Sequence, residues 1–113
     1  MSARALEALD RILEQGGEPD DVLREATAVL ADEPTVAWAG IAFFEKGDLV
    51  LGLSTGEPDE SRRMRVPIPY QGKPVGELRV DGEADRRLLD EVAARIAAHV
   101  LIGWDTAGEG WEP

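Results

Sequence analysis

Two prolines separated by one residue, Pro67 and Pro69 in the strand-like run RRMRVPIP, constrain this chain more than any other feature. Residues two apart in a strand send their backbone N–H groups to the same side, so both missing donors fall on one flank. That flank cannot pair with another strand, and the run must close a sheet at its edge. A second run, PVGELRVD, follows after a short loop and predicts a hairpin. Pro74 at its start also lacks a donor, so the mouth of the hairpin is expected to be loosened.

The loop sets which side chains share a face, because a slip of one residue turns a whole strand over. A two-residue turn at Gln71-Gly72 puts Glu77 and Arg79 beside Met64 and Val66, mixing charge into the apolar side. A three-residue loop, Tyr70-Gln71-Gly72, places Gly72 at a left-handed position. It sets Met64 opposite Leu78 and Arg65 opposite Glu77, an apolar pair and an ion pair. The second register is the one expected.

The remaining chain divides cleanly. ARALEALDRILEQ, residues 3–15, carries Leu6, Leu9, Ile12 and Leu13 at helical spacing and ends at Gly16-Gly17. A second helix starts near Pro19, with Asp20 and Asp21 suiting its dipole, and stops before Pro34. VAWAGIAFFE is apolar on both alternating sets, as a strand buried on two faces must be. After a tight turn at Lys46-Gly47-Asp48, DLVLGLST alternates Leu49, Leu51 and Leu53 against Asp48, Val50 and Gly52, which predicts one strongly apolar face. From Ala84 to about Ile102 a long amphipathic helix is expected, and residues 103–113, GWDTAGEGWEP, read as a tail.

Charge and composition exclude several functions. The net charge is -11 over 113 residues, so nucleic acid and anionic membrane surfaces are not expected partners. No run has the length of a membrane span or the look of a leader, and a cytoplasmic protein of one domain, residues 1–102, is expected. There is no cysteine, which removes thiol chemistry and disulfides together.

The order helix, helix, hairpin, connection, hairpin, long helix, with WAGIAFFEKGDLVLGLSTG and VPIPYQGKPVGELRVDG, resembles the GAF domain family over residues 3–102. The resemblance implies an α+β fold, an antiparallel sheet of about four strands in the order 2-1-4-3 with two N-terminal helices and one long C-terminal helix. It is carried by scaffold signatures rather than by a catalytic motif. Family members roof the sheet with a long connection before the last hairpin and enclose a small ligand beneath it. Here that connection is only STGEPDESRR, too short to build a roof. The first strand is also similar to that of the free methionine-R-sulfoxide reductases, a GAF-like group that works through cysteines.

Without a cysteine that chemistry has no nucleophile, and the expectation is a protein that is not an enzyme, with no catalytic residue, metal site or cofactor. The single histidine, His99, reads as a boundary or interface residue. The acidic clusters Glu18-Pro19-Asp20-Asp21 and Glu57-Pro58-Asp59-Glu60 lack EF-hand spacing and read as solvated acids. Arg62, Arg63 and Arg65, with Arg79, form the one local basic patch, suited either to an acidic partner or to discouraging edge pairing. Trp104 and Trp111 leave two readings of the tail: it anchors, from this chain or a second copy, over the unroofed sheet, or it is mobile.

These readings converge on a signalling or regulatory, protein-interaction module of the GAF-like kind that forms a homodimer through its helices. The expected dimer surface is Leu6, Leu9, Leu13, Ile96, Val100, Leu101 and Trp104. The alternative is a sensor holding a small ligand in a shallow pocket near Trp38, Phe44, Tyr70 and Arg79. Together with Arg63 and Arg65 these four make the candidate ligand or partner surface.

Overall fold

A computed structural model describes residues 3–109, with side chains over 4–44 and 46–100. Helices α1 (Ala3–Gln15) and α2 (Pro19–Ala31) precede strands β1 (Val36–Glu45) and β2 (Asp48–Gly56). A single 3-10 turn, Glu60–Arg62, leads into β3 (Arg63–Tyr70), β4 (Lys73–Gly82) and helix α3 (Arg86–Glu109). The strands form one antiparallel sheet in the order β2-β1-β4-β3, so the proline-bearing strand is an edge.

Helix ends follow local chemistry. Gly16 and Gly17 take φ of 69° and 121°, a backbone that ends α1 as only glycine does cheaply. Pro19 starts α2 at the position where a missing N–H costs nothing. Helix α3 begins at Arg86 rather than Ala84, because the Asp85 carboxylate accepts from the Arg87 N–H at 2.9 Å and caps the first turn. It continues as far as Glu109, so residues 103–109 of the expected tail are helical, and residues 110–113, with Trp111, lie outside the described residues.

All three helices lie on one side of the sheet. Helix α2 covers β1 and β2, α3 covers β3 and β4, and α1 packs on α2. Between the layers sits one core: Ala39, Ile41 and Phe43 of β1, Val66 and Ile68 of β3, Leu78 and Val80 of β4, and Leu23, Leu30, Leu89, Val92 and Ile96 of the helices. Gly76 lets α3 approach closely, since a Cβ there would stand 2.6 Å from the Ala42 carbonyl oxygen and 3.1 Å from Val100.

The β3–β4 register differs from the expected one in an instructive way. The loop is two residues, Gln71 (φ 52°) and Gly72 (φ 82°), both left-handed as the twist of a tight hairpin requires, and Tyr70 pairs with Lys73. The extra residue is taken up further along, where the pairing shifts between Ile68↔Gly76 and Pro69↔Pro74. Pro74 has no hydrogen bond to lose there, so the bulge settles at the loosened mouth. Met64 therefore faces Val80 and Val66 faces Leu78, while Arg65 faces Arg79 rather than Glu77. The faces come out as expected, with apolar side chains inward and Glu77 and Arg79 on the opposite face.

Strand β2 departs from the simple alternation. A bulge at Gly52 places Ile41 opposite Leu53 and Ala42 opposite Leu51. The ring of Phe43 occupies the space where a side chain at position 52 would stand. Leu53 packs against the core, whereas Leu51 lies on the opposite face with 45% of its surface exposed, so the leucines do not form one apolar face.

Candidate functional site

The face of the sheet away from the helices carries the site. Antiparallel partners point the same way, so the registers lay out its rows directly. The first row is Gly56, Trp38, Asp81 and Arg63; the second is Ser54, Gly40, Arg79 and Arg65; the third is Leu51, Ala42, Glu77 and Pro67. The connection from β2 to β3, residues 57–62, meets this face at its first row, where the Asp59 amide donates to Asp81.

Asp81 is the centre of the first row and has no exposed surface. Its Oδ1 accepts from Arg63 Nε at 2.7 Å, and its Oδ2 accepts from Arg63 Nη2 at 2.9 Å and from the Asp59 amide at 2.7 Å. Burial alone would raise the Asp81 carboxyl, but the Arg63 guanidinium and the Asp59 amide outweigh it and hold the pKa below the ordinary value. The same bidentate pair raises the Arg63 pKa against the opposing effect of burial. The Arg63 guanidinium also lies 4.5 Å from the ring centroid of Trp38, in cation–π contact. Strand β3, the end of β4 and the 57–62 connection are thus tied through one carboxylate.

Trp38 is 3% exposed although no helix covers it. Its indole lies along the sheet over Gly40, where a Cβ would come within 2.6 Å of the ring and 3.0 Å of Leu51. The glycine is what allows the ring to lie flat against the strand. The space that a shallow pocket needs is therefore filled by the protein's own side chain.

The second and third rows hold the remaining charges. Arg79 Nε donates to Glu77 Oε1 at 2.7 Å, and Arg65 reaches the same oxygen from 3.4 Å with its side chain 53% exposed. Arg62 is exposed at the end of the 3-10 turn that precedes β3. Of the predicted surface, Trp38, Arg63, Arg65 and Arg79 share this face, and Phe44 continues it at the hairpin end of β1. Tyr70 does not, because it shares the parity of Val66 and Ile68 and packs against the helix-side core.

The predicted dimer surface is largely consumed within one chain. Leu9, Ile96 and Val100 are buried in the core, and Leu6 and Leu13 are partly buried against it. The same helical stripe that a dimer would use is the stripe this sheet needs for cover. The side chains of Leu101 and Trp104 lie outside the described residues. His99 is half-buried on α3, and its Nδ1 has no hydrogen-bond partner among the described residues. An open groove lined by Arg4, Ala8, Asp32 and Glu33 lies where α1 meets the end of α2, away from every predicted site residue.

Sequence reasoning missed Asp81. Its signal was present, an acid aligned with Arg63, but the expected register set the two out of line.

No protein-family model matches this chain, and no curated protein does either. Solved structures do. The GAF domain of a phosphoenolpyruvate-protein phosphotransferase from Acinetobacter superposes with a TM-score of 0.69 at 16% identity, covering 93% of this chain and 97% of that one. The chain has the GAF-like fold. The fRMsr of Staphylococcus aureus in complex with substrate gives a TM-score of 0.70 at 17% identity, over 87% of this chain and 94% of that one. A type II free methionine-R-sulfoxide reductase from Thermoplasma acidophilum gives 0.63 at 19% identity, over 73% and 92%.

These neighbours correct one expectation. The absence of a catalytic motif led to a chain that is not an enzyme, yet reductases stand beside the GAF domain among the structures that share its architecture. The scaffold is one on which catalysis is carried out, so lack of activity does not follow from it. The chain still contains no cysteine. Among the described residues, no helix is long and apolar enough to cross a membrane.

Proposed function

We propose that this chain is a GAF-like regulatory domain that acts through protein contacts on the uncovered face of its sheet, docking an acidic segment of a partner. The observation that carries this reading is Trp38, which lies over Gly40 and fills the place a small ligand would take. What remains accessible is a surface rather than a cavity. Arg63, Arg65 and Arg79 stand in the rows of that face with Asp81 and Glu77, and Glu60 reaches Arg63 from its margin at 3.6 Å, on a protein whose net charge is -11. Asp81 pairs with Arg63, while Glu77 is shared between Arg79 at 2.7 Å and Arg65 at 3.4 Å; Arg65, the more exposed of the two, is the guanidinium placed to meet a carboxylate from outside.

A synthetic glutamate-rich peptide, titrated at low and high salt while backbone amide resonances are followed, tests this. Shifts centred on Arg65, Arg79 and Gly40, weakened by salt and lost in Arg65→Ala, are expected. Shifts spread over the helices, or none, would refute the docking face.

A second reading rests on the S. aureus fRMsr complex, which has this fold around a bound substrate. In it the indole of Trp38 swings away and a small molecule takes its place. Addition of free methionine-R-sulfoxide separates the two readings: raised thermal stability, with changed resonances at Trp38 and Gly40, selects the second.

A further inference from the structure

The two edges of the sheet are unlike. Strand β3 is protected by Pro67 and Pro69 and carries Arg63 and Arg65, whereas β2 contains no proline, lysine or arginine and has Asp48 as its sole charge. Val50 and Leu51 on β2 are the exposed large hydrophobic residues among the described ones, at 44% and 45% exposure. An edge of this kind, nine residues long and almost uncharged, is a template for another strand.

We infer that β2 is a self-association edge, pairing antiparallel with β2 of a second copy of this chain about a two-fold axis at Val50. The backbone geometry selects this register. Lys46 (φ 53°) and Gly47 (φ 88°) form a two-residue turn closed by the pair Glu45↔Asp48. In such a hairpin the closing pair is hydrogen-bonded and the bonding alternates from there. Asp48 and Val50 therefore bond to β1, and Leu49 and Leu51 turn their N–H and C=O groups outward. A two-fold axis through Val50 sets Leu49 of one copy against Leu51 of the other, so the outward groups satisfy each other on both sides. The hydrogen-bonded pairs, Leu49 with Leu51 on each side of the axis, lie before the Gly52 bulge, which would disturb a register shifted toward Leu53.

Side chains and charge agree with that choice. The axis stands perpendicular to the sheet, so both helical layers fall on the same side and each residue keeps its face. Val50 meets Val50, Leu51 lies beside Leu49, and Asp48 faces Gly52, so no like charges are opposed across the seam. Helix α2 covers β1 and β2, and with strands about 4.8 Å apart the two α2 helices flank the seam at roughly 10 Å, an ordinary packing distance. The occupant is a second copy rather than a sheet edge of other character, because the run is self-complementary under a two-fold axis and offers no charge pattern to select a foreign strand. The proline-blocked β3 cannot compete for it. At -11 per chain the copies repel at long range, which keeps the association weak at low salt.

Sedimentation velocity of the full chain over a wide range of concentration, at low and high salt, together with amide hydrogen exchange, tests the inference. The expected result is a monomer–dimer equilibrium that shifts toward dimer with both concentration and salt, with the Leu49 and Leu51 amides becoming protected as dimer forms. Val50→Lys places cations opposite each other at the axis and should remain monomeric with an unchanged melting temperature, since the side chain is outside the core. Leu51→Thr, which keeps strand propensity, should weaken the dimer less. A monomer under all conditions would overturn the inference. So would a dimer that persists in Val50→Lys with Leu49 and Leu51 still exchanging freely, which would place the contact elsewhere.

Discussion

Replacing Asp81 by Asn offers the most direct measure of what holds the uncovered face together. The carboxylate has no exposed surface and accepts three hydrogen bonds, two from Arg63 and one from the Asp59 amide. Asparagine keeps the shape but carries one acceptor and a donating NH2, which points at a group that is itself a donor. Arg63, whose side chain is only 13% exposed, is left with the exposed carboxylate of Glu60, 3.6 Å away, as its counter-charge. Breaking a buried pair on one side costs about 3–5 kcal/mol. At about 4 °C per kcal/mol for a domain of this size, the melting temperature should fall by roughly 12–20 °C. Urea denaturation at neutral pH, with the slope unchanged, gives the free energy independently. The paired variant Asp81→Leu with Arg63→Met, which removes both charges, should recover a large part of the loss. A cost below about 1 kcal/mol for Asp81→Asn, the range of an exposed ion pair, would refute the reasoning. It would mean that Arg63 is served equally well by water or by Glu60, which stands 3.6 Å away.

Two further outcomes follow from the same structure. Because the Asp81 pKa is lowered in the folded protein, its contribution is present above the ordinary aspartate value of about 3.9 and is lost as pH falls through the folded value; the stability gap between the natural chain and Asp81→Asn should therefore narrow in acid, measured by denaturation across pH. Gly76→Ala drives a methyl group against the Ala42 carbonyl and Val100 and should cost about 1–3 kcal/mol, read from thermal unfolding, by forcing α3 away from the sheet.

The edge position of β3 was legible because it depends on Pro67 and Pro69 alone. A missing N–H is a local fact, and its consequence holds wherever the strand lies. The apolar parity of Met64, Val66, Ile68, Leu78 and Val80 was legible for the same reason, since alternation needs no partner. The residue that faces each of them was not. One extra residue had to be placed between Ile68 and Leu78, and both the loop and the strand offered room for it. The cost at Pro74, against the fit of a left-handed Gln71-Gly72 turn, put it in the strand. That single displacement concealed the Arg63–Asp81 pair and turned the expected Arg65–Glu77 pairing into a diagonal contact.

By itself, then, the sequence determined the order of the elements and, outside β2, the inward and outward sets of most strand side chains, which follow from hydrophobic period and backbone chemistry within a few residues; the bulge in β2 and the extension of α3 to Glu109 were not among them. Only the tertiary structure decided what those sets meet. Leu9, Ile96 and Val100 are apolar stripes in either case, but whether a stripe covers its own sheet or a second chain depends on the area left bare, a property of the assembled layers. Trp38 is an aromatic residue in a strand until the absence of a side chain at Gly40 and the guanidinium of Arg63 lay it flat and seal it. Burial and pairing arise from contacts between residues far apart in sequence, and each is fixed only when every register is fixed with it.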